Sequence, residues 1–123
     1  MSVAYWCVLI AGLLPYVATL TAKVGARFDN RKPREWLAQQ SGYRSRANAA
    51  QLNGFEAFPL FAAAVIVAHL TDASQARVDL LAMVFIAARL AYLGFYLADQ
   101  STLRSLAWFA GIGSAVAIFV SGA

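Results

Sequence analysis

The stretch that decides the fold is Arg46–Phe61, RANAAQLNGFEAFPLF, together with the apolar run that carries it on to Leu70. Only Ala57 to Leu70 is free of acids, amides and fixed cations. Fourteen residues at about 1.5 Å each give about 21 Å, short of a hydrocarbon core of about 30 Å. If the segment crosses a bilayer, its polar half must lie at membrane depth as well, and the helix runs from about Ala47 to Leu70. That places Asn53 and Glu56 inside. A carboxylate there is costly unless something holds it.

Composition decides between a soluble helix and a membrane one. The 123 residues are 61% hydrophobic and 13% charged, against about 45–50% and about 25% in ordinary globular domains. Mean hydropathy is +0.61. A chain with room for one compact domain cannot hide that much apolar surface from water. An all-α integral membrane protein follows. The net charge of +4 does not point to nucleic acid, because seven of the ten basic residues lie between the first two apolar segments. These are Lys23, Arg27, Arg31, Lys32, Arg34, Arg44 and Arg46. A basic loop beside a span reports topology and contact with anionic headgroups. The single cysteine, Cys7, rules out an intrachain disulfide and any multi-cysteine metal site. No metal site is expected.

Working outward, four spans are expected, at about 3–22, 47–70, 80–98 and 105–121, forming one four-helix bundle and one domain over 1–123. Val3–Ala22 has no charged residue and is longer than a signal-peptide core of about 7–15 residues. Pro15 inside it removes a backbone hydrogen bond that neighbours must repair. Between the first two spans, Pro33 can start a short surface helix through Trp36. His69, near the far end of the second span, has no second ligand at metal spacing and is expected to be a solvated end residue. Residues 72–79 and 99–102 read as turns, with Ser101 or Thr102 as the cap of the last helix. Ala107, Gly111 and Ala115, with Gly113 and Ala117, give the last span small residues for close approach, either within the chain or to a second copy. Four spans put both termini on one side. The basic first loop places loops 23–46 and 99–104 in the cytoplasm and the termini opposite.

Two polar stripes fall inside the membrane. Arg46, Asn53 and Leu60 lie within about 20° of one direction on a helix, with Glu56 about 60° to one side. On the third span Arg89, Tyr92 and Tyr96 share a face. Glu56 and Arg89 both come out about 13 Å deep from the cytoplasmic side at 1.5 Å per residue. An acid and a base at equal depth on facing helices are expected to pair, since a lone charge costs at least about 2.5–3.5 kcal/mol there. With Asn53, Tyr92, Tyr96 and Arg104 they outline a polar cleft that leads to the surface and suits a small charged ligand.

Taken in order, Ala50-Gln51-Leu52-Asn53 with Glu56, the continuation Ala57-Phe58-Pro59-Leu60-Phe61, and Ala88-Arg89-Leu90 with Tyr92, Tyr96 and Leu103-Arg104 resemble the MAPEG family. These are membrane-associated proteins of eicosanoid and glutathione metabolism. The resemblance spans nearly the whole chain, and Asp29-Asn30-Arg31 with Pro33-Arg34 is similar to the bacterial branch. It implies a homotrimer in the bacterial inner membrane, with sites between adjacent subunits that bind glutathione as co-substrate near the cytoplasmic face. Residues matching Gln51, Asn53, Glu56, Arg89, Tyr92 and Tyr96 would bind it, and Arg104 would activate the thiol. Where active members carry an arginine seven residues before the glutamate this chain has Ala49, and Ala57 stands where some have tyrosine. Arg46, one turn earlier on the same stripe, is the candidate replacement cation.

The expected function is a membrane-bound glutathione-dependent transferase or peroxidase acting on hydrophobic electrophiles or lipid hydroperoxides. The lipid bilayer would supply the hydrophobic small-molecule substrate. The alternatives are a MAPEG-fold protein that binds without catalysis, and a small multidrug transporter. Transporters of that size depend on a carboxylate in the first span, and here the first span has none.

Overall fold

The computed structural model describes residues 1–123, and all of its regular structure is helical. The helices are α1 (Val3–Lys23), α2 (Pro33–Ala38), α3 (Gly42–Leu70), α4 (Gln75–Leu97) and α5 (Ser101–Val120). All but α2 are long and apolar enough to cross a membrane. α3 and α4 are central, each packing against both α1 and α5. The protein is an integral, multi-pass membrane protein built as an all-α four-span bundle.

Alanine supplies about half of the 25 buried positions, while Trp6, Leu9, Leu13 and Leu20 on α1 and Leu106, Phe109 and Phe119 on α5 are exposed. Small residues inside and large apolar ones outside are what a bundle needs in lipid, where close approach rather than hydrophobic exclusion holds helices together. In the core Phe61 of α3 stacks on Phe85 of α4, centroids 3.9 Å apart and nearly parallel. α1 crosses α3 where Gly54 meets Pro15. A Cβ at position 54 would stand 2.9 Å from Pro15 Cγ, so only glycine permits this spacing. On α5, Ala107, Gly111 and Ala115 are buried, and Gly111 faces Ala88, Arg89 and Phe85 of α4. That half of the small-residue pattern serves packing within the chain, whereas nothing lies near Gly113.

Several helices begin earlier than their apolar runs. α3 starts at Gly42 and α4 at Gln75, about a turn before the expected 47 and 80, because polar residues at a membrane surface continue a helix as readily as apolar ones. The turn expected over 72–79 shrinks to Thr71–Ser74, with Asp72 left-handed at φ 54°. Asp99 does the same at φ 58° between α4 and α5. Ser101 is the first residue of α5 and not its cap; Gln100 occupies that position, with no side-chain bond.

The end of the bundle that carries the α3–α4 turn is tied by side chains. Ser2 Oγ accepts the Tyr5 N–H at 3.3 Å and lies 2.9 Å from His69 Nε2. The other ring nitrogen, Nδ1, is 2.7 Å from the Val65 carbonyl, to which it donates, and the ring stacks on Tyr5 at 4.1 Å. The Asp79 carboxylate accepts from the Ala4 amide at 2.9 Å and from Gln75 Nε2 at 2.7 Å. His69 is therefore half-buried with both nitrogens used, contrary to the expectation of a solvated end residue. α1 begins where an acidic side chain on a neighbouring helix meets its unsatisfied amides, a favourable place for negative charge.

Candidate functional site

At the opposite half of the bundle the polar residues converge without satisfying one another. Arg89 is only 8% exposed, because α4 sits centrally and its residue 89 faces inward beside Gly111. Its guanidinium lies over the Tyr92 ring, 4.3 Å from the centroid, the attraction of a cation for an aromatic face. No carboxylate reaches it. The one ion pair in the chain is the exposed Lys32–Glu35 contact at 3.7 Å.

The expected Glu56–Arg89 pair is thus not formed. Both residues line the same cavity of about 150 Å³ between α3, α4 and α5, together with Asn53, but Glu56 lies on its exposed flank. Equal depth fixes height along the bundle and leaves azimuth free, and azimuth separates the two. Asn53 Oδ1 is buried with no hydrogen-bond partner, so an unpartnered acceptor belongs to the cavity that the arginine also lines. The rest of the wall is apolar: Leu60, Phe85, Trp108 and Ile112.

Toward the α4–α5 turn the stripe continues outside this cavity. Tyr92 and Tyr96 meet edge to face, centroids 5.6 Å apart, and the Arg104 guanidinium rests over Tyr96 at 4.5 Å. Tyr92, Tyr96, Arg104 and Trp108 share a shallow depression of about 380 Å³. Trp108 borders both spaces and joins them. Sequence reasoning missed Trp108, Phe85 and Ile112. Trp108, Ile112 and Ala115 lie four and three apart, so the helical period on the last span held the signal.

Two expected site residues are placed apart from these spaces. Arg46 Nη2 donates to the Leu97 carbonyl at 3.1 Å, capping the C-terminus of α4, where a cation belongs. Within the single chain, this bond and not the polar cavity is where Arg46 is held. Gln51 Nε2 is bonded to Asn48 Oδ1 at 3.1 Å, within its own helix. The site therefore brings together Asn53, Glu56 and Arg89 in one cavity and Tyr92, Tyr96 and Arg104 in the next, with Arg46 and Gln51 turned to other work.

The profile of the MAPEG family matches residues 3–123. The chain belongs to the MAPEG family. No curated protein gives a significant match. As a MAPEG protein it has its polar stripe on α3 and α4, the two central helices, and no group of His, Cys, Asp or Glu side chains set to hold a metal ion.

Proposed function

We propose that this MAPEG protein is a membrane-bound glutathione-dependent transferase or peroxidase acting on hydrophobic electrophiles or lipid hydroperoxides. It would work as a homotrimer in a bacterial inner membrane, with the Arg104 end toward the cytoplasm. The observation that carries the reading is Arg89, buried and without an anion, beside the unpartnered Asn53 Oδ1. A buried cation with no counter-charge is strongly unfavourable. A ligand that brings a carboxylate and an amide donor relieves both groups at once, and a tripeptide thiol brings both. Glu56 suits the ligand's ammonium group. Its exposure on the single chain supports a neighbouring subunit over that flank, since a carboxylate facing lipid is costly.

Arg104 then stands where a thiolate would form. A guanidinium stays charged at neutral pH and acts by charge and hydrogen bonding, not as a base, and the Tyr96 ring beneath it limits its motion. The thiolate sulfur attacks the electrophilic carbon, a C–S bond forms, and the leaving group departs with its bonding pair. With a hydroperoxide the sulfur attacks oxygen, the O–O bond breaks and an alcohol leaves; a second glutathione completes the disulfide and releases water.

Isothermal titration of glutathione into purified protein in lipid nanodiscs, with turnover of a hydrophobic electrophile, tests this. Glu56→Ala is expected to raise KM for glutathione more than it lowers kcat. Neither binding nor turnover at millimolar thiol would sink the reading. Ala49, with Arg46 committed to Leu97, favours the second reading, a MAPEG protein that binds without catalysis. It gives a binding isotherm with no product.

A further inference from the structure

A second, much smaller chamber touches Arg89 from the other side. It lies between α1, α3 and α4, measures about 20 Å³, and is bordered by Ala11, Pro15, Gly54, Phe85, Arg89 and Tyr92. Three facts meet there. Pro15 has no N–H, so the donor that would normally bond the carbonyl of Ala11, four residues earlier, is missing. Gly54 lets α3 press against the Pro15 ring, which closes that point of α1 to lipid. The Arg89 guanidinium has five N–H donors and no protein acceptor, although the residue is only 8% exposed.

The chamber is too small for any organic ligand. One water needs about 10–15 Å³ of such space and two or more polar partners. In membrane helices, ordered waters are among the groups that make good the backbone bond lost at proline.

We propose that this chamber is a binding site for one water molecule, which donates to the Ala11 carbonyl and accepts from the Arg89 guanidinium. The water completes α1 at its kink and tethers Arg89 from behind. The remaining N–H groups are then held toward the cavity that contains Asn53 and Glu56. Pro15 and Gly54 thereby become positioning residues for Arg89, acting through the water. None of this needs a thiol ligand, so it stands or falls independently of the glutathione reading.

The sequence supplies a clean probe. Ala-Gly occurs only at Ala11-Gly12 and Ala110-Gly111, so carbonyl-13C alanine with 15N glycine isolates two carbonyls in the intact protein in bilayers. Ala110 is exposed in mid-α5 with an ordinary helical donor and serves as the dry control. In water-edited solid-state NMR without glutathione, Ala11 is expected to gain polarisation from water several-fold faster than Ala110. Pro15→Ala restores the missing N–H and is expected to bring Ala11 down to the control level. Arg89→Met removes the other partner and is expected to do the same. A wild-type Ala11 signal no higher than that of Ala110 overturns the proposal. So does a fast signal that survives either substitution.

Discussion

At the His69 end of the bundle, Ser2, His69, Gln75 and Asp79 are hydrogen-bonded to one another or to backbone. Toward the Arg104 end, Asn53 Oδ1, Thr19 Oγ1 and Arg46 Nε are buried without partners, and Arg89 makes neither an ion pair nor a hydrogen bond to any protein group. The two ends belong to the same four helices and differ in how far their polar groups satisfy one another. A satisfied cluster fixes helix ends and lowers the energy of the free protein. An unsatisfied one raises it, and the deficit is recovered only when something binds.

Arg89→Met breaks this contrast most severely. It is expected to weaken glutathione binding by about 3–5 kcal/mol, the range for truncating one partner of a buried charge interaction. The ligand-free protein is expected to melt within a few degrees of wild type, because the loss of a buried charge without a counter-ion offsets the loss of its hydrogen bond to the water beside Ala11. Calorimetry and thermal melts of the same preparation check both halves, and a strongly destabilised free protein would show that Arg89 already has a counter-charge. Next comes Arg104→Ala, expected to lower kcat by about 100–1,000-fold, as when a group that stabilises developing charge is lost. Stopped-flow detection of the thiolate absorbance separates this from a binding defect.

At the satisfied end the expected effects are on stability alone. Asp79→Ala removes the acceptor of the Ala4 and Gln75 donors and is expected to cost about 0.5–2 kcal/mol, as for loss of a helix cap. The KM for glutathione should stay within error, and a change in KM would mean that the two ends are coupled. The smallest effect belongs to Lys32→Ala. Its partner Glu35 is three residues away and both side chains are 68% exposed, so a change within about 0.5 kcal/mol is expected, measured by chemical denaturation.

Much of this was legible in the sequence, and what was not has a physical reason. The four spans followed from apolar runs and hydrocarbon thickness, and Arg89, Tyr92 and Tyr96 from helical period. The helix starts did not, because a membrane surface removes the penalty that polarity would otherwise signal. Neither did the separation of Glu56 from Arg89, since residue counting yields depth and not rotation about the helix axis. Arg46 looked like a site cation by stripe alone, yet the end of α4 lies within its reach and offers an unbonded carbonyl. That is a tertiary fact which no local pattern encodes.

The α3–α4 turn gathers both extremities of the fold: Ser2 bonds to His69 just before it, and Gly122 abuts Thr71 within it. Residues 2 and 122 therefore emerge beside the same few residues on one face of the bilayer. Copies of this chain can be joined tail to head by soluble linkers that never re-enter the lipid. Under the trimeric reading proposed above, such concatemers place one altered protomer among unaltered ones, and the number of Arg89 or Arg104 side chains that activity requires can be counted directly.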